Sequence, residues 1–367
     1  MARLDAVSKR TAEKIERLAE AVLRSVKGGQ NPFVEIPVRS LANVKFNARR
    51  RLVELGGQRQ RRHFFNVAMA KKFMQTFLVS DACKELVESG KTTSIRDLYY
   101  ITKHTIGETR QNTFEEQDES DPIIEDIEVA LDALREELHL FASRKGSMVG
   151  PITIRDSGDT IDLRRMGSGG WAVPSIVESN VIEFVRHEAR YVLLIEKDAV
   201  WTRFNEDRFW KRERCVILQG GGQPPRGVRR LVQRLHAELK LPVYVLVDND
   251  PWGFYIYSVM KQGSINLAFE SMRMAVPDAR FVGLSSFDKD KYRLPANVAI
   301  KMDEGDEARA KQMLAYPWFQ AKQWQREISE MVRSGVKFEL EALSRRGISF
   351  ITEEYLPRKL RERDWLE

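Results

Sequence analysis

Cysteine is nearly missing: Cys83 and Cys215 are the only two in 367 residues, far apart and without a Cys-x-x-Cys spacing. That excludes a disulfide scaffold and a cysteine-rich zinc module, and it fits a reducing compartment. Long apolar runs are missing too. The longest, such as Leu241–Val247, fall far short of the about 20 residues that a membrane-spanning helix needs, so no membrane partner is expected. No apolar segment stands behind the opening Met1-Ala2-Arg3-Leu4-Asp5, so the cytoplasm is the expected location. Histidine is scarce: His63, His104, His139, His187 and His236 form no His-x-x-x-His or His/Asp pair, and no Gly-x-Ser-x-Gly elbow occurs. Histidine-based metal and serine-hydrolase chemistry therefore lack their residues.

What is present is an ordinary globular balance, with 43% hydrophobic and 31% charged residues, 22 Gly and 13 Pro. At this length two or three domains are expected. Lys and Arg total 60 against 53 Asp and Glu, a net charge of +7, and a basic surface of this kind points to a polyanionic partner. The charge is concentrated. Arg49, Arg50 and Arg51 stand close to Arg59, Arg61, Arg62 and His63, whereas Phe114–Asp132 is acidic.

Apolar residues at helical spacing predict an amphipathic helix over Ala12–Val26, stopped by Gly28-Gly29, and another from Val67 to Glu88, stopped by Ser89-Gly90. Ser94-Ile95-Arg96-Asp97 has the form of a helix-opening cap, which puts Tyr99 and Tyr100 in the second turn of a third helix. Helix, tight glycine turn and short helix make the helix-turn-helix pattern, whose second helix enters the major groove of DNA. Pro122 opens a fourth helix expected to close near Ser143, and Gly146–Pro151 reads as a domain boundary. Beyond it, Tyr191–Ile195, Cys215–Leu218, Val243–Val247 and Phe281–Leu284 read as strands alternating with helices, the sequence form of an α/β domain. Residues 306–346 read as helical, and the charged tail 358–363 as a helix end or a contact surface.

Two strand ends carry chemistry. Tyr191–Ile195 runs into Glu196, and Val243–Val247 runs into Asp248-Asn249-Asp250. In an open α/β sheet the carboxyl ends of neighbouring strands share one crevice. Three carboxylates there need a cation, and Mg²⁺ takes oxygen ligands of this kind. Asp248 and Asp250 are two apart and project to the same side of an extended backbone. Cys215–Leu218 leads into Gly220-Gly221-Gly222-Gln223-Pro224, a turn whose amides can approach a phosphate but which lacks the Gly-Lys-Ser/Thr end of a nucleotide triphosphate loop. Gly167–Ala172 reads as a loop. No cofactor-binding residues other than the metal acids emerge. Tyr99 and Tyr100 remain as candidate nucleophiles, since a nearby Arg and a divalent cation favour a phenolate. Arg96 lies three and four residues before them, within reach of either on a helix.

The ordered set Ser94-Ile95-Arg96-Asp97-Leu98-Tyr99-Tyr100, Glu196-Lys197, Gly220–Pro224 and Asp248-Asn249-Asp250 resembles the A subunits of archaeal topoisomerase VI, type IIB enzymes, and their meiotic double-strand-break relatives. The resemblance covers most of residues 67–290. It implies an N-terminal winged-helix domain followed by a Toprim-like α/β domain with a mostly parallel sheet: 1–66 as an extension and the start of the DNA-binding part, 67–146 as the winged helix, and 147–367 as the Toprim domain with a helical C-terminal elaboration. It implies Tyr100 as nucleophile with Arg96 beside it, and a Mg²⁺ site of Glu196, Asp248 and Asp250 in which Glu196 also relays a proton. The product implied is a transient 5′-phosphotyrosyl break in double-stranded DNA. The partners implied are a second copy of the chain and a GHKL-type ATPase B subunit carrying the ATP site, in an A2B2 heterotetramer. Arg49, Arg50, Arg51, Arg59, Arg61 and Arg62 are the expected DNA-backbone contacts, and the helix around Ile15, Leu18 and Val22 is where the ATPase partner is expected to dock. The alternatives are a meiotic-type transesterase, a Toprim nuclease using metal-activated water, and a non-enzymatic winged-helix regulator.

Overall fold

Helical spacing and end signals at the start of the chain produce α1 (Ala6–Lys27), capped by the Asp5 carboxylate on the amide of Ser8. The computed structural model describes residues 5–367, which separate into two units, 5–45 with 55–143 and 46–54 with 144–367. In the first unit α1 is followed by β1 (Phe33–Pro37). The paired strands β2 (Val44–Asn47) and β3 (Leu52–Leu55) come next in the chain and belong mostly to the second unit, after which β4 (Arg59–His63) returns antiparallel to β1. Then come α2 (Val67–Ser89), β5 (Thr93–Ser94), α3 (Ile95–Thr102), α4 (Ser120–Leu131) and β6 (Leu140–Phe141), which runs parallel to β5.

Gly90 ends α2 at φ 68°, a left-handed conformation that costs glycine nothing, and the Ser94 hydroxyl then accepts from the amide of Asp97 at 3.0 Å to open α3. The expected helix, glycine turn and short helix are thus built by the expected signals. The fourth helix is shorter than predicted. Asp132 takes the left-handed conformation after Leu131 and stops it, so Leu134 caps and Leu138 ends a separate 3-10 turn. Val79, Cys83, Leu98, Tyr99, Phe114, Ile123 and Ile127 form the core with Ile15. Leu18 and Val22, half-buried, pack against the unit's own apolar clusters, so part of the α1 stripe expected to dock a partner rests on its own unit.

The second unit contains β7 (Ser147–Val149), β8 (Ile152–Asp156), β9 (Asp159–Asp162), β10 (Trp171–Ala172) and β11 (Ile182–His187) before its first α-helix. Strands β11, β8 and β9 make an antiparallel sheet. The α/β part adds β12 (Val192–Ile195), α5 (Asp198–Glu206), α6 (Phe209–Arg212), β13 (Val216–Gln219), α7 (Arg226–Leu239), β14 (Val243–Leu246), α8 (Pro251–Gln262), α9 (Ser271–Met274), β15 (Arg280–Gly283) and α10 (Asp288–Lys291). Its six-stranded sheet has the order β10-β7-β13-β12-β14-β15. The last four strands in that order are parallel, and β12, β13 and β14 are buried along their whole length, as the near-continuous Val/Leu/Ile runs require.

The C-terminal part holds β16 (Ile300–Lys301), α11 (Glu304–Leu314), α12 (Lys322–Ser334), β17 (Val336–Lys337) and α13 (Leu356–Glu362). The single helical stretch expected over 306–346 is interrupted by the Pro317 turn and by Gly335, left-handed at φ 63°. Among the described residues no helix is long and apolar enough to cross a membrane.

Candidate active site

Strand order decides which acids meet. β12 lies between β13 and β14, with Ile195 opposite Leu246, so Glu196 and Asp248 leave adjacent parallel strands at the same edge. One Glu196 carboxylate oxygen accepts from the amide of Asp248 at 3.0 Å. Asp248 is 3% exposed; its Oδ1 accepts from the amide of Leu340 at 2.9 Å, and its Oδ2 faces the ammonium of Lys197 at 2.9 Å. Asp250 opens α8, accepting from the amide of Gly253 at 2.6 Å. A Cβ at position 253 would lie 2.4 Å from the carbonyl oxygen of Asp248, so only glycine lets the helix start this close to the acid loop.

Burial raises all three carboxyls. Desolvation, with Asp248 adding like charge, pushes Glu196 up to about 7, and desolvation lifts Asp248 to about 6 and Asp250 above its ordinary range. Lys197 is opposed by burial, but Glu341 and Asp248 outweigh that and raise its pKa; its ammonium is 2.9 Å from Glu341 and 3.5 Å from Glu339. Hard oxygen donors with raised pKa values, on adjacent strand ends, are a donor set that suits a divalent cation. The three carboxylates are not gathered around one point: each holds a backbone amide, and no cluster of three or more His, Cys, Asp or Glu is arranged for a metal among the described residues. Turning toward a common ion requires these local bonds to yield. The glycine turn after β13 is tied to the same edge, because the amide of Gly222 donates to the carbonyl of Glu196 at 3.0 Å. One of the amides offered to a phosphate is therefore in use.

The adjacent tyrosines of α3 have opposite surroundings. Tyr99 is 6% exposed, and its hydroxyl donates to the carbonyl of Glu115 at 2.8 Å and accepts from the Lys103 ammonium at 2.7 Å. Tyr100 is 61% exposed, and its ring meets that of Tyr99 edge to face with centroids 5.0 Å apart. Arg96 is exposed on the same helix. Lys103, which the sequence pattern did not single out, stands one turn beyond Tyr99 and could have been found from that spacing.

The expected DNA-contacting arginines divide. Arg49, Arg50 and Arg51 are exposed, Arg50 pairing with Glu54 at 3.1 Å and Arg51 with Asp278. Arg59 and Arg61 on β4 are exposed and share Glu35 at 3.8 and 3.1 Å. Arg62 is 7% exposed and paired with the buried Asp126. It faces the interior because side chains alternate along a strand, and it holds β4 to α4.

Three sequence profiles match in chain order. Residues 71–140 match the family described as type IIB DNA topoisomerase, residues 145–188 the all-beta domain of the DNA topoisomerase VI alpha subunit, and residues 191–360 the Toprim domain of the topoisomerase 6 A subunit and Spo11. The A subunit of type 2 DNA topoisomerase 6 from Pyrococcus horikoshii is 46% identical over 95% of this chain and 94% of its own length. That of Hyperthermus butylicus is 43% identical over 97% and 94%, and the A3 subunit of DNA topoisomerase 6 from Oryza sativa subsp. indica 36% identical over 99% and 80%. Identity at this level along nearly the whole chain, together with the Toprim match over the parallel sheet and its acid edge, means that the chain belongs to the family of topoisomerase 6 A subunits.

Proposed function

We propose that this chain is the DNA-cleaving and religating subunit of a type IIB topoisomerase, with Tyr100 as nucleophile and Glu196, Asp248 and Asp250 as the site of a Mg²⁺ ion. The observation that carries the reading is the presence, in one chain, of an exposed phenol on α3 and a buried acid edge in the α/β sheet. In the reaction the Tyr100 oxygen bonds to a DNA phosphorus and the bond to the 3′ oxygen breaks. The phenol loses its proton, the 3′ oxygen gains one, and a 5′-phosphotyrosyl link remains. The phosphodiester count is preserved, so resealing is the same step reversed and cleavage itself needs no ATP.

Arg96, exposed on the nucleophile's helix, holds the phosphate that Tyr100 attacks. Tyr99 fixes the helix through its buried hydroxyl. Glu196, at the acid edge, relays the proton between the phenol and the 3′ oxygen. Bound at the acid edge, a divalent cation would neutralise charge on the reacting phosphate. α2, the Gly90 turn and α3 serve as the helix-turn-helix of a winged-helix domain, with Arg49, Arg50, Arg51, Arg59 and Arg61 along the DNA backbone. The working assembly is two copies of the chain with two ATPase subunits, the Tyr of one copy acting with the acids of its partner, on DNA inside the cell.

An adduct assay tests this: labelled duplex, Mg²⁺, the ATPase subunit with ATP, and denaturation to trap intermediates. Label carried by the protein through the 5′ end supports the reading. Cut DNA with no label on protein would make the chain a nuclease, and binding without cutting a regulator. A meiotic-type transesterase would form the adduct and leave it unsealed with the metal still present.

A further inference from the structure

The Asp248-Asn249-Asp250 loop is held from behind by a carboxylate far along the chain. Glu327, on α12, is 2% exposed. Its Oε1 accepts from the side-chain amide of Asn249 at 3.2 Å and from the backbone amide of Ser286 at 2.5 Å, and its Oε2 accepts from the Ser285 hydroxyl at 2.7 Å. All three donors are neutral. Asn249 is fully buried, its side-chain amide also reaches the Ser286 hydroxyl at 3.1 Å, and its backbone pairs in both directions with Phe338. A single carboxylate thus ties the loop after β14 to the loop after β15.

Successive side chains on extended backbone point to opposite sides. Asp250 is extended at φ −147°, ψ 168°. Pinning the middle residue inward therefore dictates where its neighbours face. We propose that Glu327 is a positioning residue for the acid site: by holding the carboxamide of Asn249 inward, it fixes the side on which Asp248 and Asp250 offer their carboxylates to a divalent cation. This rests on the reading of those acids as the metal site. A buried carboxylate is a costly way to join two loops if cohesion alone is needed, because an apolar contact would avoid its desolvation. Its particular contribution is direction, since it accepts from three donors at once and allows the Asn249 amide one orientation.

The test uses the full chain with Mn²⁺ as the probe, free ion being counted by electron paramagnetic resonance. Glu327→Gln places an NH2 group among donors and loses at least one of the three bonds. It should weaken Mn²⁺ binding by about 10–100-fold, the usual effect of removing a group that orients metal ligands, while the chain stays folded, with a lower melting temperature, and DNA binding stays near wild type. Asn249→Ser should produce a similar loss, and it carries the test alone if Glu327→Gln does not fold. The double variant should bind no more weakly than the weaker single, because the two residues act as one unit. Wild-type Mn²⁺ affinity in a folded Glu327→Gln or Asn249→Ser chain overturns the inference, as do losses that multiply in the double variant. Asp250→Asn separates the two readings: if the wild type binds no Mn²⁺, or Asp250→Asn binds it as the wild type does, the metal assignment itself falls and takes this inference with it.

Discussion

The two halves of the proposed chemistry are held in opposite ways. Tyr100 stands 61% exposed on the eight-residue helix α3, anchored through its neighbour Tyr99. Asp248 and Asn249 are 3% and 0% exposed and are fastened by Lys197, Glu327, Phe338 and Leu340. The difference teaches that the two halves solve different problems. A nucleophile must reach a phosphate that arrives from outside, so it is presented in solvent. Acids taken out of water need partners, so Glu196, Asp248 and Asp250 are each held on a backbone amide at the sheet edge.

The largest effect should come from breaking the exposed half. Tyr100→Phe removes the attacking oxygen but keeps the ring that meets Tyr99, so DNA binding and assembly persist and no covalent adduct forms. A labelled adduct in this variant would move the nucleophile to Tyr99. Next is the buried half: Asp250→Asn keeps a good helix cap but removes a charge, and cleavage in Mg²⁺ should fall by orders of magnitude with DNA affinity nearly unchanged. Full cleavage by the folded variant would remove Asp250 from the site.

Neutralising Arg49, Arg50 and Arg51 together should weaken binding to all sequences alike and flatten the salt dependence by about one unit of slope per lost phosphate contact. An unchanged slope would show that these arginines face away from DNA. A smaller effect is set by pH. Glu196 and Asp248 hold protons up to about 7 and about 6 when folded, against ordinary values of 4.5 and 3.8. The folded chain therefore binds more protons than the unfolded one across that window, so metal-free stability falls as pH rises through it. Bound metal needs the ionised forms, so Mn²⁺ affinity should fall as pH drops below about 7. Melting curves across the window, with and without Mn²⁺, should diverge, and Glu196→Gln should shrink the divergence. The smallest effect is Tyr99→Phe, which should cost about 0.5–1.5 kcal/mol of stability for its hydrogen bond and still form the adduct. Loss of cleavage there would show that Tyr99 does more than anchor the helix.

The sequence was most informative where local signals act alone. The Gly90 stop, the Ser94 cap and the four parallel strands are set within a few residues of where they occur, and Glu196 and Asp248 are legible because each directly follows an apolar strand. Periodicity failed where backbone conformation intervened: Asp132 ends α4 although apolar residues continue beyond it. Helical spacing identified the apolar face of α1 but not what covers it: Ile15 is buried in its own unit, whereas Leu18 and Val22 are half-buried. Arg62 looked like its exposed neighbours in sequence, and strand alternation turns it inward. Glu327 could not be seen at all, because its bond to Asn249 joins residues 78 apart and nothing near either marks the other.

That separation has a consequence for how the protein is made. The acid loop leaves the ribosome well before its fastenings: Glu327 follows Asn249 by 78 residues, and Leu340, whose amide holds Asp248, follows that residue by 92. A nascent or prematurely ended chain can carry both Tyr100 and the acids yet lack the groups that hold the acid loop in place. On the proposed site, competence to cut DNA is in this way deferred until Leu340 has been made, and a fragment that stops short of it is born without the fastening of Asp248.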